Sequence, residues 1–247
     1  MQGTTAQRWV KRWDRQQEYD IPDREERFRV VIDAVRAAVG TGPANVVDLG
    51  CGPGSLSARL AAALPQVHVV GVDADPLLLG LGAANTGPRV RLVQADLGYP
   101  SWPERTGLSG PWDAAVSSTA LHWLDADTLA TLYRTLAERL RPGGVFVNAD
   151  HMAPGNSTVD HIALAVRAGR TARAGTHRHE GWAQWWQALG EDAELAPLLD
   201  GRPPAPIEHT ENELTVVEHA ELLRASGFAE AAPVWQFGDD HVLVAVR

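Results

Sequence analysis

Three aspartates, each closing an apolar run, and one cluster of glycines are the parts of this chain equipped for chemistry. Asp48 follows Val46 and Val47 and precedes Gly50, Gly52 and Gly54, with Pro53 stiffening the bend. Asp73 closes the run from Val67 to Val72, and Asp96, with Leu97 beside it, follows the run from Val90 to Val93. Glycines let the backbone turn sharply and let a ligand approach where a Cβ would collide. After the turn Leu56, Leu60, Ala63 and Leu64 recur at helical spacing, so a helix N-terminus with unpaired N–H groups starts there. Strand, glycine turn, helix is the entry to a nucleotide-type site. In a doubly wound sheet the strand ending at Asp73 lies beside the first, and a carboxylate there can accept both hydroxyls of a ribose.

The elements that must position these groups follow from periodicity and punctuation. Residues 4–19 are expected as a helix carrying Trp9, Trp13, Gln16 and Gln17 at three- to four-residue spacing, and residues 23–39 as another, opened by an Asp23-x-x-Glu26 capping box. Asp75 caps a leucine-rich helix with Pro76 at its first position. Residues 98–111, rich in glycine and proline, are expected as a surface loop. A fourth strand, Trp112 to Ser117, leads to Ala120-Leu121-His122-Trp123, and a helix capped by Asp125 and Asp127 leads to a fifth, Val145 to Val147. From about 150 to 213 the pattern is interrupted by helices. One spans Ser157 to Thr171 with Val159, Ile162, Ala163 and Val166 inward; a second spans Glu180 to Leu189 and carries Trp182, Trp185 and Trp186; Gly201 to Pro206 then breaks the chain. A Thr215-x-x-Glu218 capping box opens a last helix, and Val234–Phe237 and Val242–Val246, joined by Gly238-Asp239-Asp240, form a hairpin.

A dinucleotide fingerprint, G-x-G-x-x-G, needs a third glycine where this chain has Ser55. The spacing present, acidic-x-G-x-G-x-G over Asp48, Gly50, Gly52 and Gly54, resembles the first motif of class I S-adenosylmethionine (SAM)-dependent methyltransferases. The resemblance covers about residues 44–149 and 215–247. It implies an α/β, Rossmann-like seven-stranded sheet of order 3-2-1-4-5-7-6, last strand antiparallel, with helices on both faces and a helical cap insertion. It implies SAM as cofactor, held by Asp48, Gly50, Gly52, Gly54, Asp73, Ala74, Asp96, Leu97 and Ser117, with Asp96 taking the adenine amino group, a sound pairing for a carboxylate. Residues past the fourth strand sit near the sulfonium methyl in that family, so His122 becomes a candidate base or substrate partner. His151, near the same rim, is a second. Trp9, Trp13, Trp123 and Trp182 are candidate walls of the substrate pocket. The Ala-Leu-His-Trp form resembles the trans-aconitate methyltransferase branch, implying a small-molecule acceptor, a carboxylic acid among the options.

The chain is thus expected as one domain over residues 1–247: an N-terminal helix or lid (1–22), a SAM-binding core (44–149), a helical cap (150–213), and a C-terminal helix and hairpin (214–247). The sequence has 247 residues, 22 Lys+Arg against 31 Asp+Glu and a net charge of −9, a balance that argues against general nucleic-acid binding. One cysteine, Cys51, allows no intrachain disulfide. With no membrane-length apolar run and no leader-like start, a cytoplasmic protein is the expectation. The His177–Glu180 cluster lacks a second group at metal-ligand spacing, so no metal is expected. The sequence is silent on oligomeric state. Two other readings stay open: an NAD(P)-dependent oxidoreductase on a related sheet, and a SAM-fold protein without methyl transfer activity.

Overall fold

The computed structural model describes residues 3–153, 155, 157–199 and 212–247. Its strands are β1 (Ala44–Leu49), β2 (Val67–Asp73), β3 (Val90–Gln94), β4 (Trp112–Ser118), β5 (Leu140–His151), β6 (Glu230–Phe237) and β7 (Asp240–Val246). They form one seven-stranded sheet, β3-β2-β1-β4-β5-β7-β6, the expected order. β1 to β5 pair in parallel, and β7 runs antiparallel between β5 and β6. The parallel strands read as continuous apolar runs because both their faces are covered.

The helices are α1 (Gly3–Gln17), α2 (Arg24–Val39), α3 (Ser55–Ala63), α4 (Pro76–Gly82), α5 (Trp102–Arg105), α6 (Ala126–Arg139), α7 (Ser157–Ala174), α8 (Trp182–Gly190) and α9 (Val216–Ala225). Successive strand residues point to opposite faces. Val46 therefore packs with Phe28, Val31 and Val35 of α2 and Leu56 and Leu60 of α3. Val47 packs with Leu129, Tyr133 and Leu136 of α6 and Leu223 of α9. Burying each such side chain stabilises by roughly 1.5–3 kcal/mol. A third cluster joins Trp9 and Val10 of α1, Leu77 and Leu81 of α4, and Trp185 and Leu189 of α8. It holds the N-terminal helix against the segment inserted after β5.

Several local expectations are corrected. Asp23 precedes α2 but makes no side-chain cap; its carboxylate instead accepts from Arg170 Nε at 2.5 Å. Residues 98–111 contain α5, whose Trp102 is buried against Trp112 with ring centroids 5.6 Å apart. In α3, Ala63 faces outward while Ala61 is buried. In α7 only Ala163 of the four apolar residues expected inward is buried; Val159, Ile162 and Val166 are exposed. The reason is ionic. α7 abuts the β6–β7 turn so closely that a Cβ on Gly238 would lie 2.7 Å from the Ala163 carbonyl oxygen. Its inward face carries Arg167, which donates to Asp239 at 2.7 Å, and the buried Arg170. The Asp75 and Thr215 caps form. The Gly201 to Pro206 break lies outside the described residues.

Candidate active site

The glycine turn joins β1 to α3 with φ of +64° at Gly50, +53° at Gly52 and +73° at Gly54, the left-handed region that glycine enters without penalty. A Cβ on Gly50 would overlap that of Ala120, so the turn is fitted against the segment carrying His122. A Cβ on Gly52 would meet nothing nearer than the Trp13 ring at 3.6 Å. The turn therefore opens toward space roofed by α1.

The two aspartates beside the turn have different fates. Asp48 is buried behind it and accepts from Ser57 Oγ at 2.6 Å. Burial and the nearby Asp73 charge push its carboxyl up to about 7 against the Ser57 hydrogen bond. Asp48 braces the turn from below, its side chain buried against Ser57. Asp73 is only partly buried. Its Oδ2 accepts from the Gly52 amide at 2.7 Å and its Oδ1 from Asp75 N–H at 2.9 Å. Burial raises its pKa above the usual carboxylate range. Cys51, within the turn, is buried, and burial with the Asp48 and Asp73 charges holds its thiol neutral; it is no nucleophile.

Ala74 and Asp96 are exposed at the ends of β2 and β3, and Leu97 packs partly against the core. Asp96 Oδ1 accepts from Gly98 N–H at 2.8 Å, which fixes the turn after β3. Ser117 departs from expectation: it is fully buried and its hydroxyl donates to the Leu49 carbonyl at 2.9 Å. It ties β4 to β1, and its hydroxyl is engaged within the sheet.

Past β4, Leu121–Trp123 form a single 3-10 turn. Asn212, returning from the inserted segment, pins it by donating its backbone N–H to the His122 carbonyl and its side-chain amide to the Leu121 and Leu124 carbonyls. His122 Nδ1 lies 2.8 Å from Asp150 Oδ1. Burial works to raise the Asp150 pKa, but the charge and hydrogen bond of His122 prevail and hold it below the usual range. The carboxylate is thus the acceptor, and Nδ1 of His122 carries the proton. Sequence reasoning missed Asp150. The available signal was polar residues, Asn148 and Asp150, continuing the face that Phe146 begins on β5.

His151, the next residue, has no hydrogen-bond partner for either ring nitrogen among the described residues. It neighbours a buried ionic cluster: Arg27 donates to Asp240 at 2.7 Å and to Ser118 Oγ at 3.0 Å. Burial foremost, and the Arg27 charge, lower the His151 pKa against the pull of Asp240. His122 and His151 therefore sit at the ends of neighbouring strands in different settings, one anchored by a carboxylate, the other with its pKa lowered by burial.

The four tryptophans separate. Trp9 is core: it is 3% exposed and donates its ring N–H to Asp192 at 3.0 Å. Trp13 stacks edge-on against Trp185 at 4.9 Å while facing Gly52. Trp182 packs on Trp186, and Trp123, 39% exposed, lies 4.8 Å from the His122 ring. Asp14 of α1 accepts from Ser55 Oγ at 2.5 Å and Arg24 at 2.7 Å, which clamps α1 onto the glycine-turn helix. Glu180 is taken by Arg12, and His179 bonds the Arg15 carbonyl. Among the described residues no group of three His, Cys, Asp or Glu side chains is placed to hold a metal, and no helix is long and apolar enough to cross a membrane.

The comparisons with known proteins agree with this geometry. Residues 46–144 match a methyltransferase domain family. Trans-aconitate 2-methyltransferase of Deinococcus radiodurans is 33% identical over 190 residues, 73% of this chain and 67% of that protein. The relative of the same name in Azoarcus sp. is 38% identical, but the match spans about half of its length, 48%. An uncharacterised methyltransferase of Mycobacterium tuberculosis is 32% identical over 151 residues, 60% of this chain and 73% of that protein. In fold the chain is similar to magnesium protoporphyrin IX methyltransferase from Synechocystis with bound S-adenosylhomocysteine (SAH), at a TM-score of 0.60, 18% identity, and coverage of 96% and 94% of the two chains. With the strand order, the glycine turn and these relatives together, the chain belongs to the class I SAM-dependent methyltransferases, with SAM as its cofactor.

Proposed function

We propose that this protein transfers the methyl group of SAM to a small carboxylic acid, with the crevice over the C-terminal ends of β1, β2 and β4 as the active site. The observation that carries the placement is the glycine turn: it opens beneath Trp13 while Asp73 holds the Gly52 amide at 2.7 Å. A cradle lacking Cβ atoms beside a rim carboxylate fits a nucleoside. Asp73 holds the ribose with the lone pairs left over from Gly52 and Asp75, Asp96 and Leu97 border the adenine, and Ala74 lies between. SAM supplies an electrophilic methyl on a sulfonium whose departure leaves a neutral thioether, so no leaving anion needs stabilising.

What the chain itself supplies is positioning and exclusion of water. α1 and α8 act as a cap, closed through Trp13, Trp185 and the Arg12–Glu180 pair. A carboxylate acceptor needs no general base. His122, its ring orientation fixed by Asp150, then borders the acceptor and helps to place it. Trp123 and Trp182 supply apolar wall. The acceptor class rests on the trans-aconitate 2-methyltransferase relatives.

The test is incubation with SAM and trans-aconitate or other small polycarboxylates, read by mass spectrometry. A methyl ester product supports the proposal. Turnover of amines or phenols with none of the carboxylates would overturn the acceptor class.

A further inference from the structure

Gln16 poses a problem the crevice can solve. It lies in the last turn of α1, is fully buried, and neither its amide nitrogen nor its amide oxygen has a hydrogen-bond partner among the described residues. An amide buried without partners is costly, and an exception of this kind calls for an unseen ligand group.

Its position narrows what that group is. Trp9, Trp13 and Gln16 share one face of α1, three to four residues apart. Trp13, one turn earlier, faces Gly52. Asp20, four residues later, is close enough to His151 at the end of β5 for their charges to interact. Between these two points the chain, leaving the end of α1, passes from the glycine turn of β1 toward the end of β5. The strand between them is β4, so this stretch of chain crosses the end of β4, beside the place where a ligand extending from Asp96 past Asp73 would end.

We propose that Gln16 holds the α-amino-acid end of SAM, its carbonyl oxygen accepting from the ammonium and its NH2 donating to the carboxylate. An amide is donor and acceptor on one rigid plane, which suits a zwitterion better than a lone charge would. This rests on the methyltransferase reading above and adds to it the residue that recognises the methionine end.

The experiment is calorimetry of wild type and Gln16→Met with two probes: SAH, and 5′-methylthioadenosine, which lacks the amino-acid end. Gln16→Met is expected to weaken SAH about tenfold or more, the scale of losing hydrogen bonds to charged groups, and to leave methylthioadenosine within about twofold. Equal weakening of both probes, or no change in either, would overturn the assignment. Because methionine fills a similar volume without the orphaned amide, the ligand-free variant should melt no lower than wild type. Gln16→Asn, which keeps an amide but shortens its reach, must show the same selective loss. A wild-type chain that bound neither probe would instead overturn the underlying reading.

Discussion

The two ends of the crevice treat buried carboxylates in opposite ways. Asp48, beneath the glycine turn, and Asp150, behind His122, are 1% and 2% exposed. Yet the Asp48 carboxyl is pushed up to about 7, while that of Asp150 is held below the usual range. The difference lies in their partners. Asp48 has a neutral hydroxyl from Ser57 and a second carboxylate, Asp73, nearby. Asp150 has the imidazole of His122 in direct contact and feels His151 and Arg27. At the proposed cofactor end Asp48 and Asp73 take their hydrogen bonds from a hydroxyl and from backbone amides, a setting that suits a cationic sulfonium ligand. The proposed acceptor end is neutralised internally by side chains brought from distant parts of the chain.

The largest effect is expected at the ionic cluster beside the acceptor end. Arg27 and Asp240 are both buried, so Arg27→Met removes the hydrogen-bonded partner of Asp240, leaves it the longer Arg170 contact at 3.7 Å, and should cost ~3–5 kcal/mol in chemical denaturation. Arg27→Met combined with Asp240→Leu should recover most of that loss. If the double variant is as unstable as the single, the cluster matters for more than its pairing.

Gly50→Ala sharpens the link between the ends. A Cβ there overlaps Ala120 at a positive φ, and overpacking with backbone strain should cost roughly 2–4 kcal/mol. SAH affinity should fall with stability. A variant of normal stability would show that the two segments separate freely.

The carboxylates themselves differ in sign. With a raised folded pKa, Asp48 keeps its proton in the folded state over the window from about 4 to about 7, where the unfolded chain has lost it. Its contribution to stability therefore falls as pH rises through that window and is level above it. Asp48→Asn should gain on wild type between about pH 5 and 8, by on the order of 1–3 kcal/mol. Asp150, with a lowered folded pKa, contributes stability present above about pH 4 and lost as pH falls through its folded value. Asp150→Asn should thus be destabilised at neutral pH, with the deficit shrinking in acid. Urea midpoints against pH, measured on both variants, would break the comparison if the two differences ran in the same direction.

The smallest effect is expected at the proposed cap. The Arg12 side chain is 40% exposed in its pair with Glu180, and Arg12→Ala should cost less than about 1 kcal/mol. A larger loss of stability would mean the cap is held by that pair and not by the tryptophan cluster.

The same division explains what the sequence disclosed. The cofactor end follows from local rules: glycine spacing, strand ends, and the cap that Asp75 makes on α4 are all set within a few residues. The acceptor end depends on pairings across long separations, such as His122 with Asp150 and Arg27 with Asp240. No periodicity reports these. Asp48 and Ser117 sit at motif positions that imply contact with the cofactor, yet their side chains turn to Ser57 and to the Leu49 carbonyl. α7 shows the matching failure in packing. Its spacing is helical, but its inward face is the one with arginines, because Asp23, Asp239 and Asp240 wait there. A hydrophobic pattern alone therefore assigns it the wrong face.

The most direct test of the central claim is calorimetry of SAH with the intact chain, repeated on Asp73→Ala and His122→Ala. Saturable binding is expected in wild type, weakened by ~1–3 kcal/mol in Asp73→Ala and unchanged in His122→Ala. Absence of SAH binding to wild type, or equal loss in both variants, would contradict the division of the crevice into a cofactor end and an acceptor end.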